Sequence, residues 1–97
     1  MLFANKTPAD VILRKRIDEV AKQYPERLKV WYTVSSTKGD KNWKFSEGHI
    51  NEHLIRDHCF PPNPTSIVML CGPPAMQEAC VVHLKKFGYT DDFIFEF

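Results

Sequence analysis

The stretch Ile67-Val68-Met69-Leu70-Cys71-Gly72-Pro73-Pro74 constrains the fold of this chain more than any other. Its first five residues form a continuous apolar run, too short to span a bilayer, and read as a strand covered on both faces. Gly72 and two prolines then turn the chain. Proline is tolerated at the first helical position but not inside a helix, so a helix is expected from Pro73 or Pro74 to Phe87, ended by Gly88. A buried strand that feeds directly into a helix is the unit from which parallel sheets are built.

The remaining segments repeat that alternation. Met1 to Ala4 reads as the tail of a strand. Thr7 suits a helix cap, Pro8 the first helical position and Asp10 the third residue past the cap, so one helix is expected from there to about Tyr24, where Pro25 stops it. Leu13, Ile17, Val20, Ala21 and Tyr24 follow three-four spacing. Leu28 to Val34 is a β-branched and aromatic strand, and Ser35 to Asn42 is a polar loop. Asn51 to His58 reads as a short helix with Leu54 and Ile55 facing inward. Pro61, Pro62 and Pro64 stiffen the connection that follows, and Phe93 to Phe97 closes as a strand. This order implies an α/β fold: a parallel sheet with helices on both faces, in one domain of 97 residues.

On such a sheet, ligands sit at the carboxyl ends of the strands. Asn5 to Thr7, Ser35 to Asp40, Cys71 to Pro74 and the chain end are the segments expected there. Gly72 admits a ligand close to the backbone, while Pro73 and Pro74 remove two amide donors; the turn therefore suits a flat, weakly charged group better than a phosphate. A tight strand–helix turn with no ligand is the equal alternative. Cys71 as a nucleophile would need a base, and no local pattern places one, so a buried strand cysteine is the leading alternative and a non-covalent positioning role lies between. Cys80 falls on an apolar helical stripe and reads as core, and His83 reads as a helix-surface residue. His53 and His58 lie five apart, on different helix faces, so they and Cys59 argue against a zinc site. His49 follows a glycine at a helix entrance, where a ring can stack on a base. Dinucleotide-binding sheets carry an acidic residue at the end of the second strand, where this chain has Ser35, then Ser36, Thr37 and Lys38; a plain polar turn is the alternative. Lys6 is expected to be exposed.

Composition removes other classes. Thirteen Lys+Arg against twelve Asp+Glu leave a net charge of +1, without the basic excess of a nucleic-acid binder. Three cysteines form no disulfide framework and point to a reducing compartment, so a cytoplasmic location is expected. The first residues lack the pattern of a secretory signal, and no membrane segment is expected in this chain.

Several motifs together resemble a known family. They are Phe3-Ala4-Asn5-Lys6-Thr7, Asp10-Val11-Ile12-Leu13-Arg14, Val30-Trp31-Tyr32-Thr33, Gly48-His49-Ile50, Arg56-Asp57-His58 and Cys71-Gly72-Pro73-Pro74-Ala75-Met76. With Phe87-Gly88-Tyr89 and the ending Phe93 to Phe97, they resemble the C-terminal NAD(P)H-binding lobe of the NADH-cytochrome b5 reductases. The reductase domain of eukaryotic nitrate reductase looks similar. The family's flavin-binding barrel, and the lobe's own first strand with its glycine-rich loop, correspond to nothing in residues 1–97. The resemblance therefore implies one partial, Rossmann-like domain of the ferredoxin-reductase type, truncated at its N-terminus and inactive alone. A gap is expected in its sheet, exposing apolar faces of the flanking strands.

The resemblance also implies chemistry. NADH binds across the strand ends and gives hydride to FAD on the other lobe, and electrons pass on to cytochrome b5 or another haem acceptor. Cys71 would orient the nicotinamide without covalent attachment, and Gly72 and Pro73 would shape its floor. Asn5, Lys6 and Thr7 would lie near the adenosine or pyrophosphate, His49 against the adenine and Phe97 on the flavin-facing side. Several relatives carry Asp at the position of Ser35. Serine there is expected to weaken discrimination against NADPH, with Lys38 as the candidate phosphate partner. The rival reading is a non-catalytic fragment acting as an interaction module through an exposed sheet edge.

Overall fold

A computed structural model describes residues 1–97, which form two compact units, Met1–His49 and Ile50–Phe97. In the first, strand β1 (Leu2–Asn5) leads through a 3₁₀ turn (Pro8–Asp10) to helix α1 (Arg14–Gln23), then to β2 (Trp31–Val34) and the two-residue strand β3 (Ser46–Glu47). The sheet order is β1-β2-β3 and both pairings are parallel. Leu2 to Asn5 pair with Trp31 to Val34, and Thr33 and Val34 with Ser46 and Glu47. Central β2 carries the core, with Tyr32, Thr33 and Val34 all buried. The buried Thr33 hydroxyl donates to the Gly48 carbonyl at 2.7 Å, so its burial leaves no orphan.

An aromatic cluster holds α1 and the long loop against β2. The Phe45 ring meets Tyr32 and Trp31 edge-on, each at 5.0 Å, and Trp43 at 5.2 Å. The Arg14 guanidinium lies over Trp43, Tyr32 and Phe45 at 5.0–5.5 Å, a cation–π arrangement. The Tyr32 hydroxyl donates to Asp18 at 2.7 Å. Burial, and then the Asp18 carboxylate, push the Tyr32 phenol up to about 12.

The single helix expected from Thr7 to Tyr24 is instead broken. Val11 is extended and Leu13 is left-handed at φ 56°, so α1 starts only at Arg14. Three consecutive apolar residues cannot share one helix face. The chain buries Val11 and leaves Ile12 and Leu13 each 69% exposed.

The second unit contains α2 (Glu52–His58), β4 (Val68–Leu70), α3 (Pro74–Phe87), a 3₁₀ turn (Asp91–Phe93) and β5 (Ile94–Glu96). β4 and β5 pair in parallel, Val68 opposite Ile94 and Leu70 opposite Glu96. The Asn51 side chain caps α2 by accepting from the Leu54 amide at 2.9 Å. Gly88, at φ 118°, ends α3 by donating to the Leu84 and Lys85 carbonyls, a backbone conformation that side chains disfavour. Leu54, Ile55, Cys80, Leu84 and Tyr89 are buried. The Tyr89 hydroxyl reaches the Phe60 carbonyl at 2.7 Å.

β4 departs from the expectation of a strand covered on both faces. Ile67 and Met69 are 57% and 67% exposed, while Val68 and Leu70 are half-buried, so one face of the strand is open. Its only ladder partner is β5, itself half open at Phe95. No helix is long and apolar enough to cross a membrane.

Candidate functional site

Two sets of the expected residues can be described, one in each unit. In the first, the loops after β1 and β2 close on each other at the strand C-termini. The Ser35 amide donates to the Asn5 carbonyl and the Ser36 amide to the Lys6 carbonyl, each at 3.0 Å, extending the ladder past β2. Thr7 and Lys38, with Pro8, Ala9, Thr37 and Asp40, line an open depression of about 440 Å³. Asn5, Lys6, Thr7, Ser35 and Lys38 are thus brought together. Lys6, Ser35 and Lys38 are exposed. A larger depression of about 620 Å³ is lined by Arg14, Lys15, Asp18, Glu19 and Lys22. All of its lining comes from the surface of one helix, whereas the smaller one lies where two strand ends converge, which is where such sheets bind ligands.

Local chemistry shapes this corner. Thr7 does not cap through the backbone; its hydroxyl donates to the Asp10 carboxylate at 2.7 Å, while the Asp10 amide bonds the Thr7 carbonyl at 3.0 Å. Lys38 and Gly39 both adopt positive φ, at 53° and 76°, turning the loop back toward Asp40. The Asn5 side-chain nitrogen is buried without an acceptor. Such an orphan donor at a strand end is what a ligand oxygen would satisfy. His49 is exposed directly after Gly48, whose amide donates to the Val34 carbonyl at 2.7 Å.

In the second unit the Cys71–Pro73 turn and the chain end are tied together. The Phe97 amide donates to the Leu70 carbonyl at 2.9 Å. Gln77, buried on α3, donates from Nε2 to the Gly72 carbonyl at 2.8 Å and to the Phe97 carbonyl at 2.7 Å. Cys71, Gly72, Pro73 and Phe97 are all exposed, with Phe97 at 75%. The space that a Cβ at Gly72 would take is filled by Met76, whose Cε would lie 2.6 Å from it. On that side the glycine accommodates the protein's own thioether, and a ligand's close approach is left to the other side.

The three cysteines differ. Cys71 carries an exposed, free thiol; Cys59 is half-buried and Cys80 buried. Burial pushes both the Cys59 and Cys80 thiols up, with the neighbouring Cys59 adding to the rise at Cys80. Cys80 is core, as its stripe implies. His83 is half-buried, and its Nδ1 is buried without a partner, so it is not a plain surface residue.

Two residues escaped the sequence reading. Gln77 had a signal: it is a polar residue on the stripe it shares with Cys80 and Leu84. Glu47 had none, because its strand is two residues long inside a polar stretch. Its Oε2 accepts from the Thr37 amide at 2.9 Å, pinning the loop after β2.

Comparison with known proteins follows the same lines. A family model described as "Oxidoreductase NAD-binding domain" matches residues 1–81. NADH-cytochrome b5 reductase 2 of Danio rerio is 41% identical over 98 residues, covering all of this chain and 31% of that protein. Nitrate reductase [NADH] of Volvox carteri is 38% identical over 99 residues, covering all of this chain and 11% of that protein. The crystal structure of the cytochrome b5 reductase domain of Ulva prolifera nitrate reductase superposes with a TM-score of 0.92 at 38% identity. That match covers 99% of this chain and 36% of that one. The chain spans about a third or less of the length of these relatives.

Proposed function

The chain belongs to the oxidoreductase NAD-binding domain family, and from that premise we propose that it holds and orients NADH for a flavin-dependent reductase. Residues 1–97 act as one partial nucleotide-binding domain, and the FAD-binding domain lies outside them. When bound, the nicotinamide supplies hydride to FAD on that domain, from which electrons reach a haem protein such as cytochrome b5.

The chain's own residues bind and position. Asn5 offers its unpartnered amide to the adenosine side of the dinucleotide, Lys6 offsets pyrophosphate charge, and Thr7 and Ser35 line the ribose. His49 gives the adenine a ring to stack on. Cys71 touches the nicotinamide as a positioning group, with Gly72 and Pro73 as its floor and Phe97 on the flavin-facing side. Gln77 acts through the backbone, holding the Gly72 and Phe97 carbonyls in fixed relation.

One observation carries the reading: the loops after β1 and β2 are bonded together at the strand C-termini and leave the Asn5 amide nitrogen buried and unpartnered. The exposed Ile67, Met69 and Phe95 favour a second reading, an interaction module. A chimera separates the two. This chain replaces the aligned stretch of the Danio rerio reductase, and reduction of cytochrome b5 by NADH is followed. Turnover that is lost on Cys71→Trp is expected. A folded, flavin-loaded chimera that does not oxidise NADH would overturn the proposal.

A further inference from the structure

We propose that Glu47 selects a dinucleotide whose adenosine ribose carries a free 2′-hydroxyl and rejects one carrying a 2′-phosphate. The inference rests on the reading of the strand ends as a dinucleotide site. At the C-terminal end of a strand such as β2, a carboxylate accepts from the ribose hydroxyl of a dinucleotide bound there and repels a 2′-phosphate. Ser35 stands at that end and carries no charge. Taken alone, it would leave the site open to NADPH.

The carboxylate arrives from the neighbouring strand instead. Register pairs Glu47 with Val34, the residue before Ser35. From there its side chain reaches the loop, where Oε2 accepts from the Thr37 amide at 2.9 Å. This hydrogen bond holds a negative charge on the segment 35–38 and leaves the second carboxylate oxygen free to accept from a sugar hydroxyl.

The same bond helps to remove the alternative ligand's partners. Phosphate is held by free backbone N–H groups together with cations. Here the Ser35 and Ser36 amides are committed to the Asn5 and Lys6 carbonyls, the Thr37 amide to Glu47, and the Lys38 amide to the Ser36 hydroxyl. Four successive donors are already engaged. Cations are present in Lys6, Lys38 and Lys41, but Asp10, Asp40 and Glu47 match them in number. A flexible lysine also lacks the planar fork with which arginine grips a phosphate.

Calorimetric titration of the chain with NADH and with NADPH, in parallel, tests this. Wild type is expected to favour NADH by about tenfold or more at low salt, with the ratio shrinking as salt rises, because the carboxylate is solvent-exposed. Glu47→Gln keeps an acceptor for the Thr37 amide but loses the charge. It is expected to bring the ratio within about twofold, by tightening NADPH and by weakening NADH, since the amide nitrogen that replaces the second oxygen cannot accept from the sugar hydroxyl. Adding Ser35→Asp to that variant should restore the preference. A ratio unchanged by Glu47→Gln while both dinucleotides bind would overturn the role of Glu47 and leave the site standing. A folded wild type that binds neither would overturn the site itself, and this inference with it.

Discussion

Replacing Gln77 tests how the turn after β4 is held. Its side-chain nitrogen donates to two carbonyls, Gly72 at 2.8 Å and Phe97 at 2.7 Å, and the residue is only 8% exposed. Gln77→Leu keeps the volume and removes both donors. A typical hydrogen bond contributes a net ~0.5–1.5 kcal/mol, so the two together are worth ~1–3 kcal/mol. Gly72 and Phe97 are exposed residues and their bonds to Gln77 are part-buried, so water replaces part of what the lost donor supplied. The lower half, about 1–2 kcal/mol, is therefore the expected loss. Urea unfolding followed by circular dichroism gives the number, and hydrogen exchange at the Phe97 amide, bonded to Leu70, reports whether the chain end has loosened. Gln77→Glu sharpens the test, since a carboxylate would set acceptors against two acceptors. Its folded-state pKa should be raised, so the variant should gain stability as pH falls and its carboxyl regains a proton. A loss below about 0.5 kcal/mol in Gln77→Leu, with Phe97 protection unchanged, would refute the idea that this amide fixes the turn.

Other consequences follow from the same contacts. The Tyr32 phenol has a folded pKa near 12 against an ordinary 10.0, so its contribution to stability is fully present below about pH 10 and lost as pH rises toward 12; a stability–pH comparison with Tyr32→Phe should show a steeper loss in wild type over that range. Alkylation should modify Cys71 first, Cys59 more slowly and Cys80 only on unfolding, and mass spectrometry of partly labelled chain would contradict this if Cys80 reacted early. Gly88→Ala forces a side chain to φ 118° and brings its Cβ within 3.3 Å of Pro62, so thermal unfolding should register a loss of about 1 kcal/mol or more.

Much of this architecture was legible because its boundaries rest on local chemistry. Asn51 caps α2, Pro74 opens α3 and Gly88 closes it, each acting through its own backbone or side chain within a few residues. The strand segments around Trp31–Val34 and Val68–Leu70 followed from runs of β-branched and apolar residues. The break at Val11–Leu13 was not legible, because which of three adjacent apolar residues is buried depends on what packs against them. β3 escaped because two polar residues carry no alternation; the strand is held by β2 and by Trp43 and Trp31, which bond Ser46. Among the candidate residues, the position of Asn5, Lys6, Thr7, Ser35 and Lys38 at strand ends was legible from the order of the elements. Glu47 reaches Thr37 across a gap of ten residues, a contact that exists only once the loop is folded. The exposure of Met69 likewise depends on which strands pair with β4 and not on its own run.

The central claim is that the strand ends carry a dinucleotide site. An amide NMR titration of the chain with NADH tests it most directly. Saturable shifts at Asn5–Thr7 and Ser35–Lys38, with the outer surface of α1 unchanged, are the expected result. A folded chain whose strand-end resonances stay still, or whose shifts cluster instead on Arg14, Lys15 and Lys22, would contradict the account.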